Sequence, residues 1–293
     1  MIYVVTAMYA EAYAIITHFR LKKDISHTRF QVFRNKETDI CLIVTGSGSV
    51  PAAVAVAGIC TEYGAGQGDF LLNVGICAGI QGQDVSDKEN PCRIGEIFLC
   101  SKIREKSTGK TFYPDILYRH GFEEAQIVTG AVAYTTANED EMERGGFHLY
   151  DMEAAAVYQA GAYYFGPHQM SFLKVISDAG DCGSVTAEKV KDLIGRKMES
   201  ITEYIVCLQS IAHEEHAETF SMDTMQREVD RLCEDMHCSK AMSLSVSQYI
   251  RYCILSDIDF VSVIEDMYQE GKLPCKDRKE GKIRFEELKK RLL

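Results

Sequence analysis

Short apolar, largely β-branched runs bounded by glycine or polar residues recur along the first two thirds of the chain. They lie at Ile2 to Thr6, Ile40 to Thr45, Phe70 to Val74, Ile94 to Ser101, Gln126 to Tyr134 and Phe172 to Ser177, and each predicts a strand. Helical spacing of apolar residues predicts helices over Glu11 to Arg20, Pro51 to Tyr63, Met152 to Tyr164 and Ala187 to Ile211. The second of these opens on a proline, tolerated in a first turn because its missing N–H has no intrahelical partner there. Strand, loop and helix in alternation is the grammar of an α/β domain, a sheet flanked by helices. In such sheets the loops leaving the carboxyl ends of the strands converge on one rim. Glu11, Gly46 to Gly48, Gly75 to Gly79 and Asp178 fall just past predicted strand ends, so they are expected to face one cleft.

The pattern changes near Ala212. His213-Glu-Glu-His-Ala-Glu218 is polar, and strand signals stop. Met222, Met225, Val229, Leu232 and Met236 then repeat at helical spacing, followed by helical runs at Val246 to Leu255, Phe260 to Met267 and Ile283 to Leu292. The expected organisation is an α/β domain over residues 1–211 and a helical appendage over 212–293.

Composition narrows the class. A chain of 293 residues that is 46% hydrophobic can bury a full core. The opening Met1-Ile-Tyr-Val-Val-Thr-Ala-Met8 has no basic lead or small-residue cleavage site and soon meets Glu11, unlike a signal peptide. No apolar run approaches the roughly 20 residues of a membrane span. The eleven cysteines form no C-x-x-C pair and read as small buried hydrophobes of a reducing cytoplasm. His213-Glu-Glu-His216 lacks the four-residue histidine spacing of a zinc helix and reads as a solvated helix face. Neither a metal nor a cofactor is expected. The net charge of -11 opposes wholesale nucleic-acid binding, which works by neutralising phosphates. Charge is uneven, however: from Gly271 to Leu293 nine Lys and Arg face four acids, a local net of +5. Such a stretch is commonly solvated or paired with acidic surface.

Chemistry is suggested by four segments, each with a bland alternative. Gly46-Ser-Gly-Ser-Val-Pro51 suits close backbone approach to a ligand, or is a tight turn with no ligand; Pro51 in the sixth position excludes a dinucleotide fingerprint. Asn73-Val-Gly-Ile-Cys-Ala-Gly-Ile80 reads as a second glycine loop on the same rim. Glu153 opens an alanine-rich helix and either points into the cleft or complements the helix dipole. Asp178, after an apolar strand, is either a catalytic acid or an Asx-turn or N-cap.

Together and in this order, these segments resemble the nucleoside phosphorylase superfamily, most closely its methylthioadenosine/S-adenosylhomocysteine nucleosidase branch, over residues 1–211. Ala7-Met8-Tyr-Ala-Glu11-Ala is similar to the family's N-terminal acid motif, Val44-Thr-Gly-Ser-Gly48 to its first glycine loop and Asn73-Val-Gly-Ile-Cys-Ala-Gly79 to its second. Ile94-Gly-Glu-Ile97 resembles its Gly-Asp-Ile strand, Tyr150-Asp-Met-Glu-Ala-Ala-Ala156 its Met-Glu ribose motif, and Ile176-Ser-Asp178 its catalytic Ser-Asp. The resemblance implies a three-layer α/β fold with one mixed, largely twisted sheet flanked by helices, and cleavage of the N-glycosidic bond of a purine nucleoside or a 5′-modified adenosine. Asp178 would protonate N7 of the departing base, Glu153 would accept hydrogen bonds from the ribose hydroxyls with Met152 against the sugar, and Glu11 would hold the attacking water. Ser177, Gly48, Gly75 and Ile76 complete the implied pocket. Tyr134, or alternatively Phe147, is the candidate to stack on the base. Phe112-Tyr113-Pro114-Asp115 is read as a loop over the sugar or an ordinary surface turn.

Family phosphorylases place an Arg and a Ser or Thr where this chain has Asn73 and Ile76, which removes the strongest phosphate contacts. Water is therefore favoured as nucleophile. The alternatives are phosphorolysis through a differently built phosphate site, and a nucleoside-binding sensor without turnover whose output is the appendage. A symmetric homodimer is the default for such a family.

Overall fold

The computed structural model describes residues 1–26, 29–35, 37–66, 68–80, 93–135, 148–256 and 258–292, with backbone only for 213–228, 251, 254 and 255. It falls into two compact units, Met1–His216 and Ala217–Leu293.

In the first unit the strands are β1 (Ile2–Thr6), β2 (Lys22–Asp24), β3 (Gln31–Asn35), β4 (Ile40–Val44), β5 (Phe70–Gly79), β6 (Ile97–Glu105), β7 (Thr111–Phe112), β8 (Glu123–Thr129), β9 (Leu149–Asp151) and β10 (Met170–Asp178). They form one mixed sheet in the order β10-β6-β8-β9-β5-β1-β4-β3-β2, with β7 on β6 and a further pairing of β10 with β5. The expected α/β architecture with one mixed sheet is therefore present. Strand β5 is its spine. The first half pairs with β1, from Ile2↔Phe70 to Val5↔Asn73, and the end pairs with β9 at Ala78 and Gly79. Along its other edge runs β10, parallel, from Met170↔Leu71 to Asp178↔Ala78.

Alternation along the strands sends side chains to two cores. Tyr3 and Val5 of β1 join Ala52, Val56 and Ile59 of α2 (Ser49–Tyr63) and Ala154, Ala155 and Val157 of α3 (Ala154–Gly161) on one face. Ile2 and Val4 join Ala12 and Ile15 of α1 (Tyr9–His18), Val190 and Ile194 of α4 (Ala187–Arg196), and Ile201 and Leu208 from the start of α5 (Met198–Asp235) on the other. Three layers result. The alanines of α2 and α3 let helix backbones approach the sheet closely.

Several boundaries differ from the sequence reading. The segment Asn73 to Gly79 is not a loop: it is strand, continuing β5 to Gly79, because β10 and β9 supply it with ladder partners that a local pattern cannot reveal. The strand expected from Ile94 begins at Ile97, after a turn at Gly95 with φ 91°. That expected over Gln126 to Tyr134 runs from Glu123 to Thr129. One helix expected over Ala187 to Ile211 is two, α4 and α5, separated at Lys197. The helix expected from Met152 starts at Ala154. Strands β2, β3, β7 and β9 were not anticipated; they are short, and β2 and β3 carry charged residues.

The second unit contains the end of α5, α6 (Lys240–Leu255), α7 (Phe260–Gln269) and α8 (Arg278–Leu292), around a core that includes Leu232, Met236, Val246, Ile250, Met267 and Leu288. The basic C-terminal stretch is partly neutralised within this unit. Lys272 and Arg291 pair with Glu270 and Glu287, and Arg284 with Glu280 and Glu287. Among the described residues no helix is long and apolar enough to cross a membrane.

Candidate active site

Glu11 sits in the first turn of α1 and is 2% exposed. Its Oε2 accepts the N–H groups of Ala7 and Met8, both at 2.8 Å. This is the reach-back of a capping-box glutamate, which satisfies orphan donors at a helix start. Oε1 turns the other way and accepts the Ile76 N–H of β5 at 2.9 Å. The carboxylate thereby ties α1 to the sheet, yet retains acceptor capacity, since it has about four lone-pair sites. Burial pushes the Glu11 carboxyl up, against the pull of those three N–H donors and of the Lys174 charge. The close approach needs Gly75: a Cβ there would meet Glu11 Oε1 at 2.9 Å.

Glu153 occupies the N-cap position of α3. Its Oε1 accepts the Gly48 N–H at 2.7 Å, and Gly48 has a φ of 103° that favours glycine. The Ser49 hydroxyl donates to the Met152 carbonyl at 3.3 Å, so the glycine loop at 46–48 and the start of α2 clasp Met152 and Glu153. Burial, then the nearby Asp151 charge, raises the Glu153 carboxyl to about 7, with Lys174 and the Gly48 N–H opposing.

Ser177 and Asp178 end β10 at an irregularity. Ile176 pairs with Cys77 and Asp178 with Ala78, leaving Ser177 as an extra residue. In a regular strand these neighbours would point to opposite faces; the bulge re-aims them, and both line one cavity. The Ser177 hydroxyl lies between Asp178 Oδ2 at 2.8 Å and the Cys77 carbonyl at 3.1 Å. The Gly180 N–H donates to Asp178 Oδ1 at 2.9 Å. The acid is held at both oxygens.

Glu11, Ile76, Tyr134, Met152, Glu153, Ser177 and Asp178 line one cavity of ≈ 260 Å³, close to the usual lower bound for small-molecule sites of about 300 Å³. Tyr134 is 2% exposed, with its ring 5.5 Å from that of Tyr150. Gly48 and Gly75, candidates for ligand contact, are not among the lining residues; each meets a carboxylate instead. Asn73 donates to the Val5 carbonyl at 3.0 Å within the sheet. Tyr113 is exposed and does not line the cavity, while Phe112 stacks on Tyr158 at 5.0 Å. Phe147 lies outside the described residues, as do the side chains of His213 to His216.

Sequence reasoning passed over Asp151, Thr129 and Lys174. Asp151 lines the cavity and is 2.8 Å from the Lys174 Nζ. Lys174 is 1% exposed in the middle of β10. A lysine inside the apolar run Phe172-Leu-Lys-Val-Ile176 was the available signal, because lysine is almost never fully buried unless paired. Among the described lining residues there is no Lys, Arg or His, whereas Glu11, Asp151, Glu153 and Asp178 are all acids.

No family model matches the sequence, and no curated protein does. Solved structures do match. The 5′-methylthioadenosine/S-adenosylhomocysteine nucleosidase of Neisseria meningitidis, solved with methylthio-immucillin-A, is 19% identical, with 71% of this chain and 98% of that chain covered and a TM-score of 0.55. For the 5′-methylthioadenosine nucleosidase of Arabidopsis thaliana the values are 19%, 71%, 95% and 0.55. The futalosine hydrolase of Helicobacter pylori gives 12%, 69%, 97% and 0.55. At these identities the likeness is one of fold: the chain has the fold of these nucleoside hydrolases.

Proposed function

We propose that the protein hydrolyses the N-glycosidic bond of a purine nucleoside or 5′-modified adenosine. The observation that carries this reading is the convergence of Glu11, Glu153 and Asp178, from three distant parts of the chain, on one small cavity. The fold likeness supports it, as does the nucleoside analogue held by the neisserial neighbour.

Cleaving the bond builds positive charge on the ribosyl ring and negative charge on the base. Asp178 is the proton donor to the base, which relieves the second; a positioned acid contributes about 10² to 10⁴ in rate. Glu153 accepts hydrogen bonds from the ribose diol and lies close enough to stabilise the cationic sugar. Glu11, fixed by three N–H donors and made more basic by burial, takes a proton from water. Met152 packs against the sugar and Tyr134 against the base.

Water is the nucleophile because phosphate would enter a cavity lined by four acids with no cation among the described lining residues. Base release from a panel of nucleosides, with and without phosphate, tests the reading. Turnover without phosphate, lost by about 10² or more in Asp178→Asn, is expected. Absolute dependence on phosphate, or ligand binding without turnover, would overturn it.

A further inference from the structure

We infer that Lys174, acting through Asp151 and Thr129, is the positioning residue of this site: an ion pair buried behind the cavity that fixes Glu153 and supplies its countercharge without touching the ligand. The inference rests on the proposed role of Glu153 as the ribose acceptor.

Lys174 lies in β10 opposite Gly75 of β5 and Phe98 of β6, and it is not a lining residue of the cavity. Burying an ammonium costs several kcal/mol unless a partner compensates. That partner is Asp151 Oδ2, at 2.8 Å. The carboxylate does two further things. Oδ2 accepts the Ala154 N–H at 2.8 Å, and Oδ1 accepts the Thr129 hydroxyl at 2.7 Å. Thr129 Oγ1 in turn accepts the Ala155 N–H at 3.0 Å. The first N–H groups of α3, which lack intrahelical partners, are thus anchored to an ion pair and a hydroxyl in the sheet. Glu153 is the residue immediately before them, with a non-helical φ of −131° and ψ of −33°. Where α3 begins determines where Glu153 points.

Charge gives the second link. The groups that act on Lys174 are Asp151 on β9, Glu153 at the head of α3 and Glu11 on α1, and it faces the buried thiol of Cys100 on β6. Burial alone would push the Lys174 ammonium down, but these carboxylates hold it above its ordinary value. The same charge pulls the Glu153 carboxyl down against burial and Asp151. Gly75 stands beside two of these groups: a Cβ there would be in ordinary contact with the Lys174 Nζ at 3.5 Å but would crowd Glu11 Oε1 at 2.9 Å.

The test is the carboxyl titration of Glu153, followed by NMR in the full ¹³C-glutamate-labelled chain, alongside kcat and KM against pH. In Lys174→Met the midpoint is expected to rise from about 7 by about one pH unit or more. KM for a cleaved nucleoside should rise about tenfold at pH 7, recovering toward pH 9, with a smaller change in kcat. Lys174→Arg should keep both within about threefold. The double variant Lys174→Met with Asp151→Asn removes both charges, protects against a misfolded single variant, and should bring the midpoint back toward the wild-type value. An unchanged midpoint in Lys174→Met overturns the inference. So does a loss confined to kcat at every pH, which would make Lys174 a group that meets the reacting atoms. The titration needs no turnover, so an inactive wild-type chain would sink the proposed function and leave this inference to be decided by the midpoint alone.

Discussion

In an unfolded chain Glu153 titrates near 4.5, whereas burial and the Asp151 charge place it at about 7 in the fold. The native state therefore binds this proton more tightly. The stability Glu153 contributes is complete below about pH 4.5 and is lost as pH rises to about 7. Glu153→Gln, which keeps an acceptor for the Gly48 N–H, should stabilise the protein by about 1–3 kcal/mol at pH 8 and change little at pH 4. Urea unfolding at the two pH values measures this. The same substitution should weaken nucleoside binding, so stability and function oppose each other at this residue. Gly75→Ala tests the other carboxylate: displacing Glu11 from a Cβ at 2.9 Å should cost about 1–3 kcal/mol and lower turnover. Glu11, Glu153 and Asp178 were each legible in the sequence because an acid beside a strand end or helix start stands out. Neither Asp151, in the segment 150–156, nor Lys174, in the apolar run of β10, was assigned a role. Lys174 stood out as a charge in an apolar run, but its partner did not: β9 and β10 are not hydrogen-bonded to each other in the sheet, and a side-chain ion pair between them leaves no trace in local spacing.

At the scale of elements, the end of β10 does the most for the site. An uninterrupted strand would present only one of Ser177 and Asp178 to the cavity; the irregularity opposite Cys77 and Ala78 presents both. Ser177→Ala should leave folding near wild type but free one oxygen of Asp178, lowering base release by about tenfold, measurable in the same assay with unfolding curves as control. The pattern of continuous apolar runs predicted β1, β4 and β10 well, because each is wholly buried. It misjudged β5, since glycines at 75 and 79 resemble a loop, and the close approach of Glu11 that requires Gly75 is invisible in the sequence. It also ran α4 into α5, since Lys197 is as compatible with a helix interior as with its end.

For the whole molecule, every described lining residue of the cavity, from Ala7 to Val185, comes from the first unit. The second unit has its own core and its own close contact: a Cβ on Gly281 of α8 would lie 1.8 Å from the Met236 carbonyl oxygen at the end of α5. Gly281→Ala should therefore open the second unit to proteolysis at lower denaturant. Base release should stay within about twofold, because the described lining residues all come from the first unit. What the sequence carries for these helices is the spacing of apolar residues such as Val229, Leu232 and Met236, which the structure buries in this core.

The pairing of β5 with β10 also sets an order in time. Glu11 is made first and can cap α1 locally, but Ser177 and Asp178 arrive some 165 residues later and reach the cavity only when β10 has laid itself along β5 and β6. Such non-local pairing is the slow part of folding. A nascent chain that ends before Met170 carries Glu11 and Glu153 but neither Ser177 nor Asp178; on the proposed roles it would lack the proton donor, and the cavity gathers all its acids only when this last strand docks.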